Sequence, residues 1–405
     1  MRVLAVGNMY PPHHFGGYEL VWQSAMRHLG RNGHDVRVLT TDLHTGGSDP
    51  DDPGVHRELR WYWRDHAFPR LPLRERPRLE RHNARVLKRH LEEDRPDVVT
   101  WWSMGGMSLS MLETVRRLGI PAVAFVHDDW LDYGRTADGW TGLFGARLRW
   151  LAPLAERATG APTRVDLEHA ARYMFVSDTT RRRTLEAGVR MASTGIAHSG
   201  IDPGFVDPAP ECDWAWPLLY VGRLDERNGV HTALEALVYL PAAATLALAG
   251  GWDEDEEARL MRLAQRLGVS GRVRFLGQRS RAEVRADYAD ADVVVFPVIW
   301  EEPWGLVPLE AMARGRPVVA TGRGGSGEYL RDGENAVLFE AGDATALAAA
   351  VTRLADDPVL RERLRAGGLQ TAPRYTEDAL NAAVLRELTA ARRRGQGESG
   401  AVEHR

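Results

Sequence analysis

Short runs of apolar, β-branched residues alternate along the chain with longer segments in which apolar residues recur at helical spacing. The run "RVLAVGN" at residues 2–8 predicts a strand, and "GYELVWQSAMRHLGRNG" at residues 17–33 predicts a helix that ends at Gly33. Strands and helices that alternate in this way are typical of a doubly wound parallel sheet. Further strands of this first series are predicted at residues 35–41, 96–103, 121–128 and 172–178, and the series ends with the last of these.

A second series of predicted strands begins after a stretch that has neither a strand period nor a helix period. Prolines and glycines interrupt residues 198–217, which places a domain boundary there. The second series is predicted at residues 216–225, 244–251, 273–278, 291–298, 317–325 and 336–342. We therefore predict an α/β chain with domains at residues 1–198 and 199–374. A helix over residues 375–393 is expected to pack back on the first domain, and residues 394–405 to form a disordered tail.

The composition is that of a globular protein with more than one domain. The chain has 405 residues, of which 44% are hydrophobic and 27% are charged, and its net charge of −4 argues against a general polyanion binder. The single cysteine, Cys212, permits no disulfide within the chain. The opening segment lacks the pattern of a signal peptide, and no apolar run approaches the ~20 residues of a spanning helix. We therefore expect a cytoplasmic protein.

The segment "VIWEEPWGLVPLEAMARG" at residues 298–315 follows a predicted strand, so it lies where open α/β sheets bind ligands. It continues into a helix, and the leading backbone amides of that helix, near Leu306 and Val307, favour a phosphate. Carboxylates at the same place would repel a phosphate. We therefore expect Glu302 and Glu310 to face neutral hydroxyl groups, as on a sugar or a ribose.

These two glutamates stand in the setting "E-x-W-G-L-V-P-L-E-A-M-A-x-G-x-P-V-V-A-T", which resembles the donor-site signature of retaining glycosyltransferases of the GT-B fold, family 4. The resemblance implies two Rossmann-like domains that face each other across a cleft. Further segments resemble the same family, in order, over about residues 1–375. They are the Gly-Gly loop and helix at residues 10–40, "FVHDDW" at 125–130, "FVSDTTRRRTLEAGV" at 175–189, "HSGID" at 198–202, "YVGRLDERNG" at 220–229 and "GGSGEYLRDGENAVLF" at 324–339.

The resemblance implies roles for several residues around the donor. Gly17, with Gly16 before it, would let the diphosphate approach the backbone closely. Arg223 would bind phosphate oxygens with its forked guanidinium group. Glu302 would orient the sugar hydroxyls, and Glu310 would hold the ribose. The backbone groups expected at the donor belong to Gly305, Leu306 and Val307.

One position departs from the family pattern. Where the family usually has a lysine after "GRLxxx", this chain has Asn228, preceded by Arg227. An amide donates a hydrogen bond but brings no charge. The departing diphosphate therefore loses one neutralising partner, unless Arg227 takes its place.

His127 ends an apolar run and is followed by two aspartates. The family places a histidine near the donor sugar and the acceptor, so we predict a catalytic role for His127 together with Glu302 and Arg223. Asp128 and Asp129 either cap the next helix or touch the acceptor. Trp130 is included with them as a candidate acceptor contact.

Three other segments have chemistry of their own. Residues 70–90 carry seven arginines and one lysine against two glutamates, a net charge of +6. Such a segment is a solvated helix face, a contact to an anionic membrane surface or a site for a phosphorylated acceptor. The aromatic residues at 61–68 either stack on sugar rings or pack in the core. The acidic run at 252–257 begins a helix, as acids favoured by the helix dipole do.

No histidine or cysteine cluster has metal-ligand spacing, so we predict no metal, no cofactor and no nucleic-acid partner.

The preferred interpretation is a retaining glycosyltransferase that uses a UDP- or GDP-sugar and forms an α-glycosidic bond to a small-molecule, lipid or saccharide acceptor. The alternative is a nucleotide-sugar binding protein with impaired catalysis, or less plausibly a glycoside hydrolase with two carboxylates. A phosphorylase would need a buried Schiff-base lysine, and Lys88 is the only lysine in the chain. A dehydrogenase is disfavoured because no G-x-G-x-x-G follows the first strand.

Overall fold

The computed structural model describes residues 1–13, 16–45, 54–63, 71–144, 148–210, 213–251 and 254–397. The chain forms two compact units. Unit 1 comprises Met1–His198 and the described residues from Leu380, and unit 2 comprises Ser199–Ala379. Cys212 and parts of the aromatic, acidic and tail segments discussed above lie outside the described residues.

Unit 1 is built around a parallel sheet whose described strands have the order β3-β2-β1-β4-β5-β6-β7. The strands are β1 (Arg2–Val6), β2 (Asp35–Thr41), β3 (Val55–Leu59), β4 (Val98–Trp101), β5 (Ala122–Val126), β6 (Arg172–Phe175) and β7 (Thr194–Ile196). The helices are α1 (Gly17–Arg31), α2 (Arg76–Asp94), α3 (Ser110–Arg117), α4 (Trp130–Ala137), α5 (Ala152–Thr159), α6 (Leu167–Ala170) and α7 (Asp178–Glu186). Short 3-10 turns occupy Thr141–Phe144 and Arg149–Leu151.

Strands β1, β4 and β5 are apolar nearly throughout because helices cover both faces of a parallel sheet. The pattern did not predict β3 or β7, so the strand at residues 172–178 is not the last of its series. Strand β3 has the sequence "VHREL" and lies at the edge of the sheet, where polar side chains are tolerated. Strand β7, at the other edge, has only 3 residues, too few to show a period.

Unit 2 repeats the same design, with the described strand order β10-β9-β8-β11-β12-β13, again all parallel. Its strands are β8 (Pro217–Val221), β9 (Thr245–Ala249), β10 (Val273–Gly277), β11 (Val293–Phe296), β12 (Val318–Ala320) and β13 (Val337–Leu338). Its helices are α8 (Val230–Ala236), α9 (Glu254–Arg266), α10 (Arg281–Ala289), α11 (Leu306–Ala313), α12 (Ala344–Asp356) and α13 (Pro358–Thr371). The prediction of doubly wound parallel sheets is confirmed. The strand order reverses between β8 and β11, the switch point at which such sheets bind ligands.

The last helix, α14 (Glu377–Gly395), contributes to unit 1 from Leu380 onward. Asn381 donates a hydrogen bond to the Ser24 hydroxyl at 3.0 Å, and Arg172 pairs with Glu387 at 2.8 Å. The helix continues two residues past position 393, into the segment predicted as a tail.

Helix α2 contains most of the basic segment predicted as a surface. It buries one face, which includes Leu79, Val86 and Leu87. Its arginines and its lysine therefore occupy the remaining sides of an ordinary amphipathic helix, and the membrane contact stays a prediction. Among the described residues, no helix has the length and apolarity needed to cross a bilayer.

The buried face of α2 also carries a carboxyl group, that of Glu80, which is 0% exposed. Tyr62, Ser108 and Ser110 donate hydrogen bonds to it at 2.6, 2.7 and 3.0 Å. Burial, reinforced by the nearby charge of Asp138, raises the pKa of Glu80 to about 8. The hydrogen bonds only partly offset the loss of solvation.

We expect Glu80→Gln to flatten the pH dependence of stability. Because the folded pKa of about 8 lies above the ordinary 4.5, the stability contributed by Glu80 is fully present below pH 4.5 and is lost as the pH rises toward 8. The uncharged variant should reduce this loss by on the order of 1–3 kcal/mol. Urea midpoints at several pH values between 4.5 and 8 measure it.

The matched control is Glu92→Gln, on the same helix, where the side chain is 65% exposed. This variant should keep the wild-type pH profile. Urea midpoints of Glu80→Gln that follow the wild type at every pH would contradict a stability cost from this buried carboxyl group.

Candidate functional site

The predicted donor residues of unit 2 gather at the carboxyl edge of its sheet, in the loops after β8, β11 and β12. The first two loops are joined by a hydrogen bond from the Ile299 amide to the Arg227 carbonyl, at 2.9 Å. Gly229, at φ +69°, fits between them, since a Cβ there would lie 1.9 Å from the Pro297 carbonyl oxygen. The loops on the two sides of the switch point are therefore held in contact.

Helix α11 begins at this edge directly after Gly305, which adopts a left-handed conformation with φ +82°. A Cβ on Gly305 would lie 3.1 Å from the Phe296 ring and 3.4 Å from the Ser326 side chain. Leu306 and Val307, the first residues of the helix, are half-buried. The leading amides of a helix have no partner within the helix and carry the positive end of its dipole. The geometry suits an anion such as a phosphate.

The loop after β12 holds Glu302 through its backbone. The Gly325 amide donates to the Glu302 carbonyl at 2.7 Å. A Cβ on Gly324, which has φ +71°, would lie 2.2 Å from the same carbonyl oxygen. The neighbouring Glu301 forms an ion pair with Arg323 at 2.8 Å. The structure thus separates the two adjacent acids, since Glu301 has a surface partner and Glu302 lies on the loop that the glycines position.

Glu310 lies one turn into α11 and contacts Tyr288 from helix α10. The Tyr288 hydroxyl donates to the Glu310 carboxylate at 3.0 Å and lies 3.5 Å from the Val307 carbonyl oxygen. Burial raises the pKa of Glu310, and the hydrogen bond from Tyr288 opposes this effect. Tyr288 therefore orients the carboxylate, and the sequence pattern alone did not reveal this tyrosine.

Arg223 follows β8, and its backbone carbonyl is held by two side chains. The Tyr220 hydroxyl donates to it at 2.6 Å and the Asn228 amide at 3.1 Å. Asn228, in the place where the family usually has a lysine, is therefore a positioning residue for the Arg223 turn. Compared with the lysine that is usual in the family, Asn228 brings no charge to the loop. Its amide donates the hydrogen bond that fixes the backbone at Arg223.

Arg227, the predicted substitute for the missing lysine, has other partners. It forms an ion pair with Asp225 at 3.0 Å, and its guanidinium group lies 4.9 Å from the centre of the Trp300 ring. Burial alone would raise the pKa of Asp225, but the hydrogen bonds from Arg227 hold that pKa below its usual value. A move of Arg227 toward a phosphate would leave Asp225 without this partner.

In unit 1, Gly16 and Gly17 stand at the start of α1, and the preceding His14 and Phe15 lie outside the described residues. The Gly16 amide donates to the Glu19 carboxylate at 3.1 Å. No described atom beyond its immediate neighbours lies within 4 Å of a Cβ added at Gly17. Packing against the described residues therefore does not demand a glycine at position 17, whereas the close approach of a ligand would.

His127 directly follows β5 and is only 8% exposed. Its ring lies 4.6 Å from that of Tyr18, whose hydroxyl donates to the Phe125 carbonyl at 3.0 Å. Burial lowers the pKa of His127 to about 3. The imidazole is therefore neutral at ordinary pH and offers a hydrogen bond rather than a positive charge.

Asp128 lies beside His127 and accepts a hydrogen bond from the Tyr133 hydroxyl at 3.0 Å. The Tyr133 hydroxyl also lies close to the backbone of Gly105, since a Cβ there would be 2.1 Å away. Burial, with smaller contributions from the charges of Asp129 and Glu19, raises the pKa of Asp128 to about 7. A carboxyl group with such a pKa can hold or release a proton near neutral pH.

The two other candidate acceptor residues have structural roles. Asp129 forms an ion pair with Arg183 at 3.1 Å. Trp130 is 0% exposed and packs in the core of unit 1, so the interpretation of Trp130 as an acceptor contact is wrong for this conformation. Trp130 is the first residue of helix α4, and its ring packs among the core side chains of unit 1.

Two family models match the chain and together cover most of it. Residues 15–205 match "Glycosyltransferase Family 4", and residues 215–371 match "Glycosyl transferases group 1". The junction between the matched regions, residues 206–214, lies close to the boundary between the two compact units.

Individual relatives agree with these models. The chain is 38% identical over 172 residues to the lipopolysaccharide core biosynthesis glycosyltransferase LpsE of Rhizobium meliloti (strain 1021). This match covers 42% of this chain and 49% of LpsE. It is 29% identical over 393 residues to the glycogen synthase of Mycobacterium tuberculosis (strain ATCC 25618 / H37Rv), covering 90% and 88% of the two chains. The chain thus spans about half the length of LpsE, the first of these relatives.

A solved structure shares the fold over nearly the whole chain. Anabaena Alr3699/HepE in complex with UDP-glucose superposes with a TM-score of 0.69 and 20% identity, and the match covers 96% of this chain and 100% of HepE.

The close approach of Gly324 to Glu302 predicts a sensitive position. Gly324→Ala should destabilise unit 2 by on the order of 2–4 kcal/mol, because its Cβ would meet backbone atoms of the β11 loop. Gly268→Ala is the matched control, since Gly268 also has a left-handed conformation, φ +71°, but no described atom within 4 Å of an added Cβ. That change should cost only about 1 kcal/mol. Chemical denaturation compares the two, and equal losses would contradict a steric role for Gly324.

Proposed function

The chain belongs to the GT-B glycosyltransferases of the group 1 and family 4 type, and on that basis we propose that it is a retaining enzyme. It transfers a sugar from a UDP- or GDP-sugar to a hydroxyl group of an acceptor and forms an α-glycosidic bond. The acceptor is a saccharide, a lipid or a small molecule. LpsE, named for lipopolysaccharide core biosynthesis, and a glycogen synthase are both relatives of the chain, which supports a saccharide acceptor most.

The observation that carries this proposal is the carboxyl edge of unit 2. There the start of α11, behind the left-handed Gly305, lies at the switch point of the sheet with Glu302 before it and Glu310 within it. A phosphate would bind the amides of Leu306 and Val307, and the carboxylates would bind hydroxyl groups on either side of it. A nucleoside diphosphate sugar has this sequence of groups, with a ribose, two phosphates and a sugar.

The chemistry required is the stabilisation of negative charge on the departing diphosphate. In a retaining transfer without a covalent intermediate, the diphosphate leaves as the acceptor hydroxyl attacks the same face, and the leaving oxygen takes up the proton of that hydroxyl. Preorganised dipoles and cations accelerate such a step because they act where charge develops. The α11 amides and Arg223 would supply this stabilisation, and Tyr220 and Asn228 would hold the Arg223 turn in place.

In unit 1, His127 and Asp128 would act on neutral groups of the substrates. A neutral His127 would hydrogen-bond a sugar hydroxyl. Gly17 would admit the diphosphate close to the start of α1. Asp128, with its raised pKa and its bond from Tyr133, would accept a hydrogen bond from the acceptor.

One observation favours a second candidate, a nucleotide-sugar binding protein with impaired catalysis. With Asn228 bonded to the Arg223 carbonyl and Arg227 paired with Asp225, this loop offers the diphosphate fewer cations than the family pattern does. Lys88 does not support a phosphorylase that uses a buried Schiff-base lysine, because its side chain is 70% exposed and pairs with Glu92 at 3.5 Å.

A coupled binding and turnover assay tests the proposal. Thermal shifts with UDP, GDP, ADP and dTDP would identify the nucleotide, beginning with UDP because HepE, which shares the fold, holds UDP-glucose. We expect release of the nucleoside diphosphate that depends on both donor and acceptor, and an α-linked product by NMR. A β-linked product would overturn the retaining mechanism. Tight donor binding without turnover across a broad acceptor panel would favour the binding protein.

Glu302→Ala should lower kcat/KM by ~100-fold or more, because each polar contact made in the transition state contributes on this scale. The protein should stay folded, since the substitution leaves intact the backbone hydrogen bonds that hold the Glu302 segment in place. Glu301→Ala is the matched control. It removes the adjacent acid and its surface pair with Arg323, and it should retain near-normal turnover. Steady-state rates decide the question, and similar losses in both variants would refute a specific role for Glu302.

A further inference from the structure

Two histidines and a glutamate meet in unit 1, between the edge strand β3 and helix α2. His56 and Glu58 stand two residues apart on β3, so their side chains point to the same face of the sheet. His90 belongs to the buried face of α2. One nitrogen or oxygen atom from each of the three side chains lies within 4.8 Å of the others. Local spacing in the sequence gave no sign of this group because the fold brings together residues more than 30 positions apart.

The distances within the cluster suit a small cation. The Glu58 Oε1 atom lies 3.6 Å from His90 Nε2 and 3.4 Å from His56 Nδ1. Ligands of a tetrahedral Zn²⁺ ion, at about 2.0–2.1 Å from the metal, are separated by about 3.3–3.5 Å. Small side-chain movements would therefore bring the three atoms to bonding distance of one ion.

The orientation of His90 provides a second, independent indication. His90 is 2% exposed, and its Nε2 atom has no hydrogen-bond partner among the described residues. Its other nitrogen, Nδ1, faces the Asp94 carboxylate at 3.4 Å, and Asp94 is itself paired with Arg37 at 2.6 Å. A carboxylate at Nδ1 favours the tautomer whose Nε2 lone pair is available, as is usual for metal-bound histidines.

In that tautomer the Nε2 lone pair of the buried His90 faces a carboxylate oxygen of the partly exposed Glu58. Two lone pairs at 3.6 Å repel each other unless a positive species lies between them. A proton on His90 Nε2 would remove the repulsion between His90 and Glu58 only. It would not account for His56, whose Nδ1 approaches the same oxygen and whose Nε2 also has no hydrogen-bond partner in the described chain.

We propose that His56, Glu58 and His90 form a Zn²⁺ site that joins the edge strand β3 to helix α2. Two imidazoles and one carboxylate are a ligand set that Zn²⁺ accepts, with water in the fourth position. Asp94 is a positioning residue that acts through His90. Arg89 also pairs with Glu58, and it would keep the second carboxylate oxygen while Oε1 binds the ion.

The site would act on stability, independently of sugar transfer. Strand β3 is paired only on its β2 side within the described sheet, so it is the strand most easily lost from unit 1. An ion held by two β3 residues and one α2 residue would fasten this edge. It would stabilise the folded state by binding it in preference to the unfolded chain.

The test uses the full chain without a polyhistidine tag, stripped of metal with a chelator and dialysed. Calorimetric titration with ZnCl₂ should show one saturable equivalent per chain and a rise in Tm. Titration with Co²⁺ in place of Zn²⁺ should give the visible absorption bands of a nitrogen- and oxygen-ligated ion, which reports ligation directly. No saturable binding and no such bands in the wild type would overturn the proposal.

Substitutions locate the ligands. His56→Gln and His90→Gln should each weaken Zn²⁺ binding by at least ~100-fold, and Asp94→Asn by ~10-fold as expected for a partner of a ligand. His169→Gln is the matched control, since His169 faces a single carboxylate, Asp166, at 2.9 Å and its side chain is 60% exposed. It should leave binding unchanged. If His90→Gln fails to fold, two measurements still test the site. They are Zn²⁺ binding by His56→Gln, on the partly exposed strand, and the Co²⁺ spectrum of the wild type. Undiminished affinity in His56→Gln would overturn the assignment.

Discussion

The carboxyl edge of unit 2 depends on the close approach of two backbones, the loop after β12 and the loop after β11. The bond from the Gly325 amide to the Glu302 carbonyl, at 2.7 Å, can form only because Gly324 has no side chain. The same loop places Ser326 close to Gly305, which directly precedes helix α11. The position of one carboxylate and the direction of one row of amides are therefore set by a single steric condition.

Burial shifts the pKa values of His127 and Asp128 in unit 1 and of Glu310 in unit 2. At the edge of unit 2 the phosphate-suited groups are backbone dipoles and Arg223, and the neighbouring Arg227 is already paired with Asp225. In unit 1, burial leaves His127 neutral and raises the pKa of Asp128 to about 7. A neutral imidazole and a carboxyl group that holds a proton near pH 7 both suit hydroxyl groups better than phosphates. Under the proposed function, desolvation would therefore suit His127 and Asp128 to hydroxyl groups.

The sequence predicted the parallel sheets and placed Glu302 and Glu310 at the carboxyl end of a strand, because strand period, glycine positions and the spacing between the two glutamates are local properties. It missed Tyr288, which reaches Glu310 from another helix, and Tyr133, which contacts Asp128 from five positions further along the chain. It misassigned Trp130 because position in the sequence next to two polar residues does not reveal which face of a helix is buried. Contacts between distant segments, like the one that unites His56 with His90, depend on the packing of α2 on the sheet and have no local signature.

Asn228 shows how a single substitution can alter two properties of a loop at once. A lysine at this position would place a charge near the diphosphate, but its flexible chain would not fix the Arg223 carbonyl as the amide does at 3.1 Å. The loop keeps its shape through Tyr220 and Asn228, and its positive charge is carried by Arg223. A rigid turn that presents one well-placed guanidinium group loses less conformational entropy on binding than a flexible pair of cations. Under the proposed function, an asparagine here would exchange electrostatic attraction of the donor for preorganisation of the loop.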